Sequence, residues 1–121
     1  METVLGGIPA IRVAPKSGLV DRHILYLHGG GYALGSPQTH TGLAAQLAVR
    51  CQASVTVIDY RLAPEHPYPA AIEDCVAAYR ALVSEVDSSS VVVAGDSAGG
   101  GASLSTIIEA RDAYDPLPAC L

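Results

Sequence analysis

A serine in a glycine-rich turn is the side chain in this sequence best suited to chemistry. Ser97 is the centre of the stretch GDSAG at positions 95–99, between an apolar run and a helical pattern. A serine at a sharp strand-to-helix turn projects its hydroxyl above the sheet, and only very small residues fit two positions before and after it. The spacing predicts that Ser97 is a nucleophile and that Gly95 and Gly99 permit the turn.

A second glycine-rich stretch, Gly29 to Gly31, follows His28. Successive glycines let the backbone approach a ligand closely and turn its N–H groups inward. The N–H groups of Gly30 and Gly31, with that of Ala98 at the positive end of a helix, are suited to hold a developing negative oxygen. A phosphate-binding loop is the alternative, but neither glycine-rich stretch has the glycine spacing or the lysine that such loops need.

Strand and helix patterns alternate along the chain. Strands are predicted at 11–14, 23–27, 54–58 and 91–94, and helices at 41–50, 70–86 and 98–113. The strands are apolar along their whole length, which is typical of a sheet covered on both faces. This order predicts βαβ units, a mostly parallel sheet and an α/β three-layer sandwich with functional groups at the carboxyl ends of the strands.

Size and composition narrow the classes of function. The chain has 121 residues, enough for one domain, and its net charge of -5 with seven scattered basic residues gives no surface for nucleic acid. No apolar run approaches the ~18 residues of a membrane span, and no secretory signal is recognisable at the N-terminus. The three widely spaced cysteines contain no zinc or redox motif, so no metal or cofactor is expected and a reducing cytoplasm is the expected location.

Three motifs together carry a family resemblance. HGGG at 28–31, DYRLAPEHPYPA at 59–70 and GDSAGG at 95–100 resemble the hormone-sensitive-lipase-like branch of the α/β-hydrolases, which comprises carboxylesterases and lipases. The resemblance implies hydrolysis of a small carboxylic ester through an acyl-serine on Ser97. It also implies an oxyanion hole made by Gly30, Gly31 and the N–H of Ala98.

The same resemblance implies supporting roles for neighbouring residues. The His28 ring is expected to brace the glycine loop, and Asp96 to orient the turn by hydrogen bonding. Arg61 and Glu65 are expected to fix the loop after the third predicted strand. Two further residues, Tyr32 and Leu34, are expected to line the substrate pocket.

The sequence departs from the family pattern after the nucleophile. In this family an acid and then a histidine follow the serine, whereas only 24 residues follow Ser97 and none is a histidine. Asp115-Pro-Leu resembles the acid motif, but a helix of ~15 residues would carry it about 20 Å from the serine. None of the four histidines, all upstream, matches the family's base position. The catalytic acid and histidine are therefore expected to be absent from this chain.

These departures predict a partial α/β-hydrolase catalytic domain over residues 1–121. The N-terminal cap and the C-terminal part bearing the acid and histidine would be missing, which leaves weak or no activity. The strand at 91–94 would then have an open edge through which copies of the chain self-associate. A non-catalytic ligand-binding protein, like the related gibberellin receptors, is the main alternative, and a serine peptidase is a third.

Overall fold

The computed structural model describes residues 1–16 and 20–121, which form one sheet with helices on both of its faces. Two short 3-10 turns accompany the regular elements, at Gln38–His40 and Ser88–Ser90. The strands and helices, in chain order, are β1 (Glu2–Leu5), β2 (Ile8–Val13), β3 (His23–Leu27), α1 (Thr41–Cys51), β4 (Ser54–Ile58), α2 (Ala70–Glu85), β5 (Val91–Gly95) and α3 (Ala98–Asp112).

The sheet combines a parallel and an antiparallel part. Its strand order is β1-β2-β4-β3-β5, with β4, β3 and β5 parallel to one another and β1 and β2 joined as antiparallel neighbours. The central strand β3 places Leu25 beside Thr56 on one side and Val93 on the other. The predicted α/β architecture is confirmed, with the addition of β1, which the sequence pattern did not indicate.

Alternation along β3 explains why both faces of the sheet are covered. Ile24 and Tyr26 point to the face occupied by α1, whereas Leu25 and Leu27 point to the face occupied by α2 and α3. Both leucines are fully buried, and each such side chain contributes roughly 1.5–3 kcal/mol of burial free energy. The carboxyl end of β3 is therefore fixed from both sides, and the glycine-rich loop begins there.

The loop between β4 and α2 is fastened to that helix by Arg61, chiefly through its ion pair with Asp74. The backbone N–H of Arg61 donates to Asp74 over 2.8 Å, and its guanidinium donates to both oxygens of the same carboxylate over 2.8–3.0 Å. Asp74 is buried on α2, so the bidentate geometry ties the loop to that helix. The predicted loop-fixing role agrees with this contact for Arg61, whereas Glu65 is exposed and makes no ion pair within the described ranges.

Strand β5 lies at one edge of the sheet, and the last residues of the chain begin to cover it. Ala119 N–H donates to the Val91 carbonyl over 2.8 Å, and Val93 N–H donates to the Cys120 carbonyl over 3.2 Å. This parallel bridge pairs the last residues of the chain with the outer edge of β5. Farther along the same edge, the Val93 carbonyl and Gly95 N–H have no hydrogen-bond partner in the part of the chain described.

Candidate active site

Ser97 occupies a strained turn between β5 and α3. Its backbone has φ 52° and ψ −120°, and its side chain is exposed. Positive φ is unfavourable for a residue with a side chain and persists where the surroundings enforce it. The enforcing contacts are close: a Cβ at Gly95 would overlap the Gly99 carbonyl, and one at Gly99 would overlap the Leu27 carbonyl. Only glycine fits at these two positions, as the sequence predicted.

The glycine-rich loop after β3 lies directly against this turn. Gly29 N–H donates to Oδ1 of Asp96 over 3.0 Å, and a Cβ at Gly29 would overlap that carboxylate. On the other side of Ser97, a Cβ at Gly99 would lie 2.8 Å from the carbonyl oxygen of His28. Residues before and after Ser97 therefore both contact the start of the loop, which brings the two predicted motifs together.

Three backbone N–H groups near this contact are unused. The N–H groups of residues 99–101 donate to backbone oxygens of the turn over 2.8, 3.0 and 3.2 Å. By contrast, those of Gly30, Gly31 and Ala98 make no hydrogen bond with any residue in the ranges 1–16 and 20–121. Unpaired N–H groups at a helix start and in a glycine turn are the chemical requirement for binding a negative oxygen.

Asp96 accepts two hydrogen bonds and lies near a histidine, and these three groups come from different parts of the fold. Oδ1 accepts from the Tyr26 hydroxyl over 2.9 Å and from Gly29 N–H, and His40 Nε2 lies 3.5 Å from the same atom. Burial alone would raise the pKa of Asp96, but the hydrogen bonds from Tyr26 and Gly29 and the attraction of His40 outweigh it and hold that pKa below its ordinary value. Burial and the bond to Asp96 raise the pKa of Tyr26 to about 12. Asp96 is thus an ionised acceptor that links the serine turn to β3, to the glycine loop and to the 3-10 turn that precedes α1.

His28 is buried beneath the glycine loop. Its Nδ1 lies 2.8 Å from the Gly29 carbonyl, and its ring stacks on Tyr60 with centroids 4.3 Å apart. The Tyr60 hydroxyl in turn donates to the His28 carbonyl. Burial lowers the pKa of His28, so the ring is neutral near pH 7. These contacts agree with the expected bracing role, and Nε2 is buried without a partner among the described residues.

The other histidines and the aspartate of the acid-like motif, the remaining candidates for a catalytic base or acid, lie in other parts of the fold. His23 starts β3, and His66 is exposed in the loop before α2. Asp115, from the stretch that resembles an acid motif, lies beyond the end of α3 and pairs with Arg80 over 2.6 Å. Within the described ranges, no hydrogen bond joins the Ser97 hydroxyl to any of these three side chains.

Tyr32 and Leu34 differ in position, although both were predicted to line a pocket. Tyr32 is half-buried and forms one wall of a cavity of about 410 Å³. Leu34 is 71% exposed and does not line that cavity. Of the two residues, only Tyr32 therefore lines this cavity.

Three residues of the site were not identified from the sequence: Tyr26, His40 and Tyr60. Each acts through a contact between positions distant in the chain, such as the one that joins Tyr26 to Asp96 across 70 residues. A usable signal existed for Tyr26, because parallel pairing of β3 and β5 sets it opposite Ala94, two residues before Asp96. No comparable local pattern indicates His40 or Tyr60.

Comparison with known proteins agrees with this geometry. The family described as the alpha/beta hydrolase fold matches residues 24–121. An acetyl-hydrolase of Streptomyces hygroscopicus is 48% identical over 110 residues, covering 90% of this chain and 36% of that protein. Esterase LipI of Mycobacterium tuberculosis is 48% identical over 98 residues, covering 77% of this chain and 31% of that protein.

Similarity to solved structures indicates the branch of this family. A hormone-sensitive lipase from a metagenome library superposes with a TM-score of 0.93 at 50% identity, covering 98% of this chain and 40% of that one. An esterase from the bacterial hormone-sensitive lipase family gives a TM-score of 0.94 at 42% identity, covering 100% of this chain and 42% of that one. The chain belongs to the α/β-hydrolase fold family, in its hormone-sensitive-lipase-like branch of esterases and lipases.

The chain is much shorter than these relatives. It spans about a third of the length of the curated relatives and about two fifths of the length of the solved structures. Across residues 1–16 and 20–121, no helix is both long and apolar enough to cross a lipid bilayer.

Proposed function

We propose that this chain carries the nucleophile and oxyanion hole of a carboxylic-ester hydrolase. The observation that carries the proposal is the contact of the Ser97 turn with the glycine loop on both sides, through Asp96 and Gly99. In the reaction, Oγ of Ser97 bonds to the ester carbonyl carbon and the alcohol leaves. Water then hydrolyses the acyl-serine.

The proposed oxyanion hole consists of the N–H groups of Gly30, Gly31 and Ala98. All three lack partners within the described ranges, and α3 directs its positive end towards the turn. Such preorganised donors stabilise the negative oxygen of the tetrahedral intermediate, and loss of one typically costs about 3 kcal/mol of transition-state stabilisation.

The base and its acid are proposed to come from sequence outside these 121 residues. All four histidines precede Ser97, and those nearest the site, His28 and His40, are engaged by the loop and by Asp96. Without a base the serine is a weak nucleophile, and an oxyanion hole with binding alone retains ~10³–10⁴-fold acceleration over water. The 121 residues by themselves are therefore proposed to be weak or inactive as a catalyst.

Release of p-nitrophenolate from p-nitrophenyl acetate tests the proposal. The chain is expected to release at most one equivalent, slowly, because acylation of Ser97 is not followed by efficient deacylation. Ser97→Ala should abolish this release. Ser84→Ala, which changes an exposed serine at the end of α2, should leave it unchanged.

Two outcomes would contradict different parts of the proposal. Equal release by Ser97→Ala and the unchanged chain would show that Ser97 is not the nucleophile. Rapid sustained turnover that depends on Ser97 would show that the base lies within the 121 residues.

A further inference from the structure

His40 lies beside the serine turn, and we propose that it is a positioning residue that holds Asp96 in place only when its ring is an imidazolium. This inference rests on the proposed function, because Asp96 directly precedes the proposed nucleophile, Ser97. His40 ends the 3-10 turn before α1, and its Nε2 lies 3.5 Å from Oδ1 of Asp96. The side chain of His40 is 20% exposed and that of Asp96 is 51% exposed, so water screens this contact only in part.

The hydrogen bonds of the preceding turn assign a proton to Nδ1 of His40. Nδ1 lies 2.9 Å from Oγ1 of Thr39 and 3.2 Å from the carbonyl oxygen of Ser36. The Thr39 hydroxyl donates to that same carbonyl over 2.8 Å, so it has no proton left for the ring, and a carbonyl can only accept. Both partners of Nδ1 are therefore acceptors, and Nδ1 is the nitrogen that carries the proton.

The opposite nitrogen, Nε2, can then face Asp96 in two ways. In the neutral ring Nε2 presents a lone pair, because the single proton is on Nδ1. Oδ1 of Asp96 is also an acceptor: it receives the Tyr26 hydroxyl over 2.9 Å and the Gly29 N–H over 3.0 Å, and the pKa of Asp96 lies below its ordinary value. Two lone pairs repel each other, whereas a proton on Nε2 gives the ring a charge that attracts the carboxylate. The contact is therefore favourable in the charged ring alone.

The other groups around His40 do not replace this pairing. The Tyr26 ring lies 6.0 Å from the His40 ring and stays protonated, because burial and the bond to Asp96 raise the pKa of Tyr26 to about 12. The His28 ring lies 5.4 Å away, and burial lowers the pKa of His28, which a charge on His40 lowers further. Asp59, after β4, acts on His28. Among the described residues, Asp96 is therefore the charged side chain that contacts the His40 ring.

The charge on His40 therefore affects both sides of the proposed site. Oδ1 of Asp96 is shared with Gly29 N–H at the start of the glycine loop, and the Asp96 carbonyl accepts Gly99 N–H over 2.8 Å in the serine turn. A carboxylate that moves away from a neutral His40 would disturb both of these contacts. Because an imidazole changes its charge between pH 5 and 8, the benefit of His40 to the reactivity of Ser97 is expected at the acid end of that range.

Two amide replacements separate the roles of the two ring nitrogens. The amide nitrogen of glutamine takes the place of Nε2, so His40→Gln keeps a neutral donor towards Asp96 at every pH. The amide of asparagine takes the place of Nδ1, so His40→Asn keeps a partner for Thr39 and loses the contact with Asp96. His66→Gln, at an exposed position in the loop before α2, is the matched control.

The first measurement, by NMR, does not depend on the reactivity of Ser97. Long-range proton–nitrogen spectra of the neutral His40 ring should show the proton on Nδ1, and a neutral ring protonated on Nε2 would overturn the proposal. The carboxyl carbon resonance of Asp96 should move between pH 5 and 8 in the unchanged chain and in His66→Gln. It should move less than about half as far in His40→Gln and His40→Asn, since neither side chain titrates in this range. Equal movement in all four chains would also overturn the proposal.

The second measurement is the rate at which a fluorophosphonate labels Ser97 at pH 5.5 and at pH 8. Each rate is divided by that of His40→Asn at the same pH, which removes the general effect of pH on a serine hydroxyl. For the unchanged chain and His66→Gln this ratio should be about three at pH 5.5, the size expected of a partly exposed ion pair, and about one at pH 8. For His40→Gln the ratio should be above one and equal at both pH values.

The two measurements distinguish the possible failures. If no chain is labelled on Ser97, the proposed function is overturned, and the NMR result still decides the role of His40. If Ser97 is labelled with the same ratio at both pH values in the unchanged chain, the positioning role is overturned and the nucleophile stands. If His40→Asn does not fold by circular dichroism, the rate of His40→Gln relative to the unchanged chain should rise about threefold from pH 5.5 to pH 8, and a constant relative rate would overturn the positioning role.

Discussion

The carboxyl end of β3 and the outer edge of β5 are held very differently. At the first, Asp96 alone joins Tyr26, the glycine loop and His40, and the loop is braced from below by His28. At the second, one bridge from residues 119–120 makes two backbone hydrogen bonds. The 121 residues therefore determine the serine turn and its amide donors by themselves, but leave the adjoining sheet edge largely unpaired.

The largest expected effect tests the packing of the turn. Gly99→Ala should destabilise the fold by about 3 kcal/mol, because the new methyl group overlaps the Leu27 carbonyl and both partners are fixed backbone. Gly100→Ala is the matched control: its Cβ would lie 3.5 Å from the nearest atom, and alanine is favoured over glycine in a helix by about 1 kcal/mol. Urea unfolding of the two variants should give shifts of opposite sign.

Equal shifts in these two glycine variants would contradict the close approach of α3 to β3. Equal shifts would mean that the serine turn is less tightly packed than the contacts at Gly99 indicate. The serine turn would then be no better fixed than the outer edge of β5.

A second test removes the carboxylate that joins three elements. Asp96→Ala should cost about 1–2 kcal/mol, because Gly29 N–H and the Tyr26 hydroxyl lose an ionised acceptor that is itself about half exposed. Asp112→Ala removes an exposed carboxylate paired only with neighbouring Arg111 and should change stability by less than about 0.5 kcal/mol. Urea unfolding of both variants measures the difference, and a cost for Asp96→Ala no larger than the control would contradict the bridging role.

The sheet edge is tested by association rather than by unfolding. We propose that copies of this chain pair through β5, so sedimentation velocity should show species larger than the monomer as concentration rises. Removal of residues 118–121 should increase the associated fraction, because it frees the Val91 carbonyl and Val93 N–H. Cys120→Ser should match the unchanged chain, since the bridge uses only backbone atoms. Purely monomeric behaviour of the truncated chain would contradict the proposal.

The smallest expected effect is a pH dependence from His28. Its folded pKa lies below the ordinary 6.5 because of burial, so the unfolded chain binds the proton more readily. The contribution of neutral His28 to the free energy of unfolding is fully present above about pH 6.5. It is lost as the pH falls towards the lower pKa that His28 has in the folded chain. Urea unfolding between pH 7 and 5 should therefore show decreasing stability, with a smaller slope in His28→Gln.

Two other histidines provide the comparison for that pH experiment. The pKa of His23 is also lowered by burial, so some slope should remain in His28→Gln. His66→Gln, at an exposed position, should keep the full slope. A slope identical in His28→Gln and the unchanged chain would contradict the buried, neutral state of His28.

Local patterns predicted the elements better than the contacts between them. β3 and β4 begin and end where their continuous apolar runs predicted, because each strand is buried on both faces of the sheet. β1 was missed because it is short and mostly exposed, although its Gly6-Gly7 turn, with both φ positive, is typical of a hairpin. The role of His40 depends on the 3-10 turn before α1 packing near Asp96, a contact across 56 residues that no local pattern contains.

Labelling of Ser97 by a fluorophosphonate tests the central claim most directly. Reaction of the folded 121-residue chain, followed by peptide mapping, is expected to give one slowly formed adduct on Ser97, absent in Ser97→Ala and unaffected by Ser84→Ala. A folded chain that remains unlabelled, or that carries the label on another serine, would contradict an accessible nucleophile facing the amides of the glycine loop.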